Sequence, residues 1–377
     1  MKAVIAPDKF KGSLSAQAVA KSIEAGLKKA VPRIETVIAP MADGGEGTID
    51  ALLAALGGTR HKVVVTGPLG ESLKAEFAIL PGGTAVIEMA QASGLSLVSA
   101  SERDPTITTT YGTGELIEAA LDTGCKRFII GIGGSATVDA GVGLAQALGA
   151  KILQGDGSEV GFGGGELVKI EKIDASTIDP RVKGARFLVA SDVENPLYGP
   201  RGAAHVFAPQ KGASKDQVIL LDQGLINFAK VARRDLGIDV SELPGGGAAG
   251  GLGAGLVAFL GATIKSGAEL IIQETGLKNK LKEADIVITG EGQLDYQSAY
   301  GKVPVKVSQA AKEFSKTVVA IVGRFGEGYE DALKAGIDKA FSLEEVAGSF
   351  DEALKNPTPY IEKAAAQVTA EFLHSSN

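Results

Sequence analysis

Short apolar runs rich in β-branched residues alternate along this chain with segments of helical periodicity. Six runs have this character: 3–6, 36–39, 128–132, 187–190, 286–289 and 318–322. Between the first two, apolar residues recur at every fourth position over residues 13–30, which predicts a helix capped by Ser13 or Ser15. Continuous apolar runs of this length are typical of parallel strands covered on both faces. The alternation therefore predicts an α/β fold.

Residues 62–90 have a different pattern. Three strand-like runs there are separated only by short Gly/Pro turns: 62–65, 75–80 and 84–89. Connections this short fit antiparallel hairpins rather than crossovers, and 377 residues exceed the usual limit of a single core. We predict two different α/β domains: a Rossmann- or flavodoxin-like parallel sheet from residues 1–62 and 282–377, and a mixed-sheet domain, residues 63–281, inserted into it.

Charge and hydropathy exclude several classes of partner. The net charge is -7 and no basic patch is present, which disfavours nucleic acid. No apolar run approaches the ~20 residues that span a bilayer, and the apolar stretch at the N-terminus is too short for a signal peptide. A single cysteine, Cys125, allows no internal disulfide. These features predict a cytoplasmic protein that binds neither membrane nor nucleic acid.

Acidic residues and glycines cluster directly after predicted strands, where ligands of open α/β sheets bind. After the first strand, Asp8 could hold a metal or a substrate hydroxyl, and Lys11 could neutralise a phosphate or carboxylate. A solvated surface turn explains both residues as well. After the second strand, Asp43 and Glu46 could converge on one cation or hydroxyl, or could cap a helix.

The segment 131–139, Gly-Ile-Gly-Gly-Ser-Ala-Thr-Val-Asp, connects a strand to a predicted helix that runs to Leu148. Small residues let backbone N–H groups approach an anion, and the two hydroxyls add donors. The segment is neither a Walker A loop nor a Gly-x-Gly-x-x-Gly motif. It predicts an anion site made by five residues: Gly133, Gly134, Ser135, Ala136 and Thr137.

Three later loops carry further polar residues. Asp192 follows a strand and is a candidate metal ligand or general base, and Gln210 and Lys211 could reach a phosphate. Glu291 and Asp295 share one loop after another strand. A polar surface loop explains each of these equally well when it is taken alone.

The number of such loops decides between reaction classes. His61, His205 and His374 are far apart in sequence and match no triad or metal spacing, and Cys125 is interpreted as a packing residue. Carboxylates, lysines and phosphate-cradling glycines suit Mg²⁺-assisted phosphoryl transfer. A dinucleotide oxidoreductase is disfavoured because no Gly-x-Gly-x-x-Gly follows the first strand. A non-catalytic sensor of hydroxy acids would need no such concentration of carboxylates.

Taken as a set, the loops resemble the bacterial glycerate kinase family, the two-domain enzymes of glyoxylate and glucarate breakdown. The matching stretches run in order along the chain: 6–16, 42–48, 109–117, 131–139, 192–197, 200–213, 247–255 and 289–302. The resemblance implies ATP-dependent, Mg²⁺-dependent phosphorylation of D-glycerate in a cleft between the domains, with 2-phosphoglycerate favoured and 3-phosphoglycerate possible. Three residues depart from the family pattern: Lys9 replaces a serine, Val138 an asparagine and Ser191 a cysteine.

The resemblance also implies roles for single residues. Asp192 first, or Asp43 second, would be the base for the glycerate hydroxyl, and Lys11 would act with them in catalysis. Lys9 or Arg201 could bind the substrate carboxylate. Phosphate and substrate binding are assigned to Asp8, Lys9, Gly133 to Thr137, Gln210, Lys211 and Glu291, and a magnesium site to Glu46 and Asp295. The alternative is a kinase of the same family that acts on another small hydroxy acid; the expected state is a monomer or homodimer.

Overall fold

A computed structural model describes residues 1–372; the end of the predicted first domain, residues 373–377, lies outside the described residues, and His374 with it. The chain divides into two compact units. The first unit contains residues 1–43, 50–57 and the chain from 266 onward, and the second contains residues 44–49 and 58–265.

The helices and strands follow in chain order. The chain begins with β1 (Lys2–Ile5), α1 (Ala16–Ala30), β2 (Glu35–Ile38) and α2 (Thr48–Leu56). The second unit continues with β3 (Thr59–Thr66), β4 (Ser72–Leu80), β5 (Thr84–Glu88), α3 (Ala90–Ser93), α4 (Tyr111–Asp122), β6 (Arg127–Gly131), α5 (Val142–Ala147), β7 (Lys151–Leu153), β8 (Lys172–Asp174), β9 (Arg186–Ala190), α6 (Ala203–Phe207), α7 (Lys215–Leu236), α8 (Leu252–Leu260) and β10 (Thr263–Lys265).

The chain then returns to the first unit. Its remaining elements are α9 (Gly267–Glu274), α10 (Leu277–Lys282), β11 (Ile286–Thr289), β12 (Gln293–Leu294), α11 (Tyr296–Ala299), α12 (Val303–Lys312), β13 (Thr317–Val322), β14 (Arg324–Phe325), α13 (Tyr329–Lys334), β15 (Lys339–Ser342), α14 (Leu343–Ala347), α15 (Phe350–Lys355) and α16 (Pro357–Phe372).

The main sheet of the first unit is parallel throughout, in the order β2-β1-β11-β13-β15. Counted along this unit's own strands, the order is 2-1-3-4-5, which is flavodoxin-like. Alternate residues of each strand face two cores: Val319 and Ile321 pack with α1 and α16, whereas Ala320 and Val322 pack with α12 and α13. Burial on both faces explains why these strands are apolar at every position.

The main sheet of the second unit is mixed, in the order β10-β9-β6-β5-β4-β3. The pairs β3–β4 and β4–β5 are antiparallel hairpins, as predicted, and the other pairs are parallel. Phe128 and Phe187 stack at 4.7 Å between ring centroids in this unit's core. The predicted fold class, two different α/β folds, is confirmed.

The ends of several elements differ from the sequence-based expectation. Strand β3 begins at Thr59, before the predicted boundary at 62, because it pairs with β4 along its full length. The chain rejoins the first unit at residue 266 rather than 282, since α9 and α10 pack with α12. Ser15, and not Ser13, caps α1 by accepting a hydrogen bond from the Ala18 N–H at 3.3 Å.

Two helix starts differ in detail from the sequence-based interpretation. The helix expected directly after residue 139 begins only at Val142, because Ala140 and Gly141 adopt left-handed backbone, with φ of 51° and 72°. It also ends at Ala147, one residue before the predicted end. Asp43 does not cap a helix with Glu46 either, because α2 begins at Thr48.

Candidate active site

The loops after β1 and β11 lie side by side in the first unit because these strands are neighbours. The Asp8 N–H donates to the Gly290 carbonyl at 2.8 Å, and the Thr289 hydroxyl donates to the Ala6 carbonyl at 2.9 Å. In the strand order, β1 and β11 flank the point where the chain reverses direction across the sheet. Crevices at such points are the usual ligand sites of open α/β sheets.

A cavity of about 420 Å³ opens at this point, and we call it the carboxylate cavity. Six residues predicted from the sequence line it: Asp8, Lys9, Lys11, Asp43, Glu291 and Asp295. Two further basic residues also line it, Lys302 and Arg324. Acidic and basic side chains from four strand exits thus meet in one hollow of the first unit.

Asp8 is 8% exposed, and one of its carboxylate oxygens accepts a hydrogen bond from the Lys9 N–H at 2.7 Å. Burial raises the pKa of Asp8 to about 8, and the negative charge of Asp43 adds to this effect while Lys9 opposes it. A carboxyl group with this pKa can accept a hydroxyl hydrogen bond when charged and donate one when neutral. Nearby positive charge would favour its charged form.

Glu291 is 7% exposed and accepts a hydrogen bond from the Ser298 hydroxyl at 2.5 Å. Burial raises its pKa to about 7. The Ser298 bond and Lys302 lower that pKa, whereas Asp295 and Asp43 raise it. The raised pKa values of Asp8 and Glu291 therefore have the same main cause, desolvation, and the negative charge of Asp43 adds to both.

Asp295 holds the loop that carries Glu291. One of its oxygens accepts from the N–H groups of Gln297 and Ser298 at 2.9 and 3.3 Å, which makes it the N-cap of α11. Its other oxygen accepts from the Gln293 side-chain amide at 2.8 Å. These bonds give Asp295 a structural role that explains its presence without the metal predicted for it.

Lys302 and Arg324 were missed by the sequence reasoning. The Lys302 ammonium lies 3.7 Å from an Asp295 oxygen, and the Arg324 Nε donates to the Gln293 side chain at 2.6 Å. A signal for Arg324 was present, since it stands two residues beyond the apolar run 318–322. The rule used for the other strand exits points to it as well.

A second cluster forms in the second unit around Lys211. Its side chain is buried, and Nζ donates to the Ser135 hydroxyl and to the Thr137 carbonyl, both at 2.7 Å. Burial lowers the pKa of Lys211 to about 7, and the charge of Asp139 opposes that shift. The structure thus joins Lys211 to the loop after β6. Phosphate binding was predicted for each of them separately, and it stays a prediction.

Asp139 holds the loop after β6, which also contains Ser135 and Thr137, the hydrogen-bond partners of Lys211. It is buried, and its carboxylate accepts from the Thr110 N–H and hydroxyl, both at 2.8 Å, and from the Gly141 N–H at 3.2 Å. Burial raises its pKa, although these hydrogen bonds favour the charged form. Asp139 therefore ties the start of α4 to the start of α5.

Much of the glycine run after β6 serves close backbone packing. The Gly133 N–H donates to the Gly44 carbonyl at 3.2 Å, and the Ala136 N–H donates to the Ser93 carbonyl at 2.9 Å. A Cβ on Gly44 would lie 2.4 Å from the Ala190 carbonyl oxygen. Two N–H groups of the predicted anion cradle are thus already bonded, and its exposed part is Gly134.

Other predicted residues lie in separate surroundings of the second unit. Gln210 and Arg201 are exposed, and Asp192 is half-buried directly after β9. Glu46 is exposed and accepts from the Ser96 hydroxyl at 3.4 Å. The two predicted magnesium ligands, Glu46 and Asp295, belong to different units.

In residues 1–372, no three His, Cys, Asp or Glu side chains form a ready-made metal site. Within the same residues, no helix has the length and apolar character needed to cross a bilayer.

Comparison with known proteins decides the family. The model of the glycerate kinase family matches residues 3–373. The chain belongs to the glycerate kinase family. The resemblance expected from the loops is confirmed, and with it a kinase that acts on a small molecule.

Relatives match this chain along nearly its whole length. A glycerate kinase of Halalkalibacterium halodurans is 48% identical over 97% of this chain and 96% of its own. A glycerate 2-kinase of Escherichia coli K12 is also 48% identical, over 98% of this chain and 97% of its own. The crystal structure of a candidate glycerate kinase 2 from Salmonella typhimurium LT2 is 43% identical, covers 100% of this chain and 99% of its own, and has a TM-score of 0.87.

Proposed function

We propose that the protein transfers the γ-phosphate of ATP to a hydroxyl of D-glycerate, with 2-phosphoglycerate as the favoured product. The observation that carries this proposal is the carboxylate cavity, where six residues from three strand exits converge. The Escherichia coli relative, named as a glycerate 2-kinase, supports the 2-position.

The charges of the cavity suit phosphoryl transfer, in which a protein mainly positions groups and neutralises charge. Lys9 and Lys11 supply positive charge for the transferring phosphate and for the substrate carboxylate. Asp8 and Asp43 offer oxygens to the hydroxyls of a hydroxy acid. For the base that takes the hydroxyl proton, Asp192 is the first candidate and Asp43 the second.

Magnesium fits the residues of the cavity. Burial raises the pKa of both Asp8 and Glu291, and the negative charge of Asp43 adds to the effect, so a cation would favour the charged form of both groups. Magnesium usually takes one or two carboxylates and completes its shell with water and phosphate, so it needs no cage of three protein ligands. Held by Asp8 and Glu291, it would neutralise charge on the phosphate oxygens.

The direct test uses purified protein, Mg-ATP and a panel of hydroxy acids, with ADP release as the readout. We expect release that depends on D-glycerate. Phosphorus NMR then identifies the product, because the 2-phosphate couples to one carbon-bound proton and gives a doublet, whereas the 3-phosphate couples to two and gives a triplet. No ADP release with either enantiomer of glycerate would overturn the proposal.

The rival is a kinase of the same family with another acid as its substrate. Tartronate and erythronate belong in the panel for this reason. A higher kcat/KM for either acid than for D-glycerate would favour the rival. The cytoplasmic location, the cleft between the domains and the state as monomer or homodimer stay predictions.

A further inference from the structure

One wall of the carboxylate cavity is charged, and another is apolar. Five residues from the last helices of the described chain form it: Leu343, Phe350, Ala353, Leu354 and Pro357. Leu343 and Ala353 are buried, whereas Leu354 is 42% exposed. The Ser13 hydroxyl donates to the Leu354 carbonyl at 3.3 Å, which joins this wall to the loop after β1.

The apolar wall is not explained by glycerate. A small hydroxy acid is polar at every carbon, so it would gain little from contact with leucine, proline and phenylalanine side chains.

Arg324 adds a flat surface to this wall. Its guanidinium carbon lies 4.5 Å from the centroid of the Phe350 ring, and its Nε donates to the Gln293 side chain at 2.6 Å. An arginine fixed over an aromatic ring forms a stacked cation–π pair, and nucleobases stack on aromatic side chains with further contributions from arginine. The charged wall and the flat apolar wall together suit a molecule with a phosphate end and an aromatic end.

We infer that the carboxylate cavity binds the nucleotide, with the adenine base against Phe350 and Leu354 and the phosphates toward Lys9 and Lys11. This inference rests on the proposed ATP-dependent reaction and adds to it the unit that holds the nucleotide. The first unit alone supplies every residue in this assignment. The parallel sheet, rather than the mixed one, is then the nucleotide-binding sheet.

The test is calorimetric titration of Mg-ADP into the full chain without glycerate. Truncation of a side chain that stacks on a base weakens binding ~5- to 150-fold, so Phe350→Ala should raise the Kd for ADP by at least about 5-fold. Phe350→Tyr, which keeps the ring, should restore binding close to that of the wild type. In steady-state assays, Phe350→Ala should raise the KM for ATP more than the KM for glycerate.

The matched control is Phe162→Ala, an aromatic truncation at a half-exposed site of the second unit. It should leave the Kd for ADP unchanged. Leu354→Gln is a second variant on the wall, and its exposure makes it tolerant of a polar side chain. It covers the case in which Phe350→Ala fails to fold, and we expect the same direction of change.

Three outcomes would overturn the inference: unchanged ADP binding in folded Phe350→Ala or Leu354→Gln, an equal loss in Phe162→Ala, or a rise in the KM for glycerate alone. None of these outcomes affects glycerate-dependent ADP release by the wild type. That release tests the proposed function by itself, so the two failures are distinguishable.

Discussion

At the scale of single residues, the proton acceptor is the sharpest assignment. Asp192→Asn keeps the shape of the side chain but removes its basicity. We expect kcat to fall ~10²- to 10⁴-fold, the usual contribution of a general base. Because Asp192 is half-buried, the substitution should change the free energy of unfolding of the protein by less than ~1 kcal/mol. ADP release at saturating substrates measures the first effect, and urea unfolding measures the second.

Glu194→Gln is the control for that variant, since Glu194 is exposed two positions further along the same loop. It should keep the wild-type kcat. If Asp192→Asn also keeps it while Asp43→Asn loses it, the base is Asp43. Normal turnover in both aspartate variants would exclude both residues as the base.

Lys211 makes a prediction about pH. Burial lowers its folded-state pKa to about 7, whereas an unfolded lysine titrates near its ordinary value of 10.5. Between these values the unfolded state binds more protons, so the contribution of Lys211 to the unfolding free energy rises with pH, by up to about 1.4 kcal/mol per unit. Below pH 7 both states are protonated and the slope from this group vanishes.

Lys211→Met isolates that slope. Urea unfolding of both proteins between pH 7 and 9 should show the wild type gaining stability relative to the variant as pH rises. Asp139 is the charged group that the pKa of Lys211 depends on, and it stays in place in both proteins. A constant difference between the two proteins across this range would show that Lys211 is not held in a desolvated state.

At the scale of elements, the loop 44–47 shows which of its glycines is required by close packing. Gly44 and Gly47 both have positive φ, 87° and 95°, so alanine costs about 1–2 kcal/mol at either position. At Gly44 the new Cβ would also meet the Ala190 carbonyl at 2.4 Å, whereas at Gly47 it meets nothing within 4 Å. Gly44→Ala should therefore destabilise the protein by roughly 1–3 kcal/mol more than Gly47→Ala.

Urea unfolding of the two variants measures that difference, with Gly47→Ala as the matched control. Equal destabilisation would contradict the close packing of the loop against the end of β9.

The strands of the first unit were predictable because both faces of the sheet are covered. Val319 and Val322 face different cores, so the run 318–322 has no polar position and its sequence predicts a buried strand. The convergence of Asp8 and Glu291 followed from one rule, that ligands meet at strand exits. These acids come together because β1 and β11 are neighbours in the sheet, and periodicity alone does not predict the strand order.

Other features were hidden from sequence reasoning for physical reasons. Leu354 and Phe350 lie on a helix whose apolar pattern is the same whether it faces a core or a cavity. A glycine needed for close backbone approach, such as Gly133, looks like one that cradles an anion. The metal role predicted for Asp295 stays a prediction, because a helix cap and a metal ligand use the same carboxylate.

At the scale of the whole molecule, the order of the chain explains why the cavity depends on distant segments. The first unit begins at the N-terminus, is interrupted at residues 44–49 and again after residue 57, and resumes at residue 266. Its central pair, β1 and β11, joins Ala3 to Ile286. Asp8 and Glu291 can therefore share a cavity only after most of the chain has been made.

The central claim is that the carboxylates of this one cavity bind the groups that react when glycerate is phosphorylated. The most direct measurement is kcat/KM for D-glycerate, with saturating Mg-ATP, in Asp8→Asn. Asp285→Asn is the control, since Asp285 precedes β11 at the opposite end of the same sheet. We expect Asp8→Asn to lose about 10²-fold or more while it unfolds like the wild type, and Asp285→Asn to stay active. Wild-type kcat/KM in a folded Asp8→Asn protein would contradict the claim.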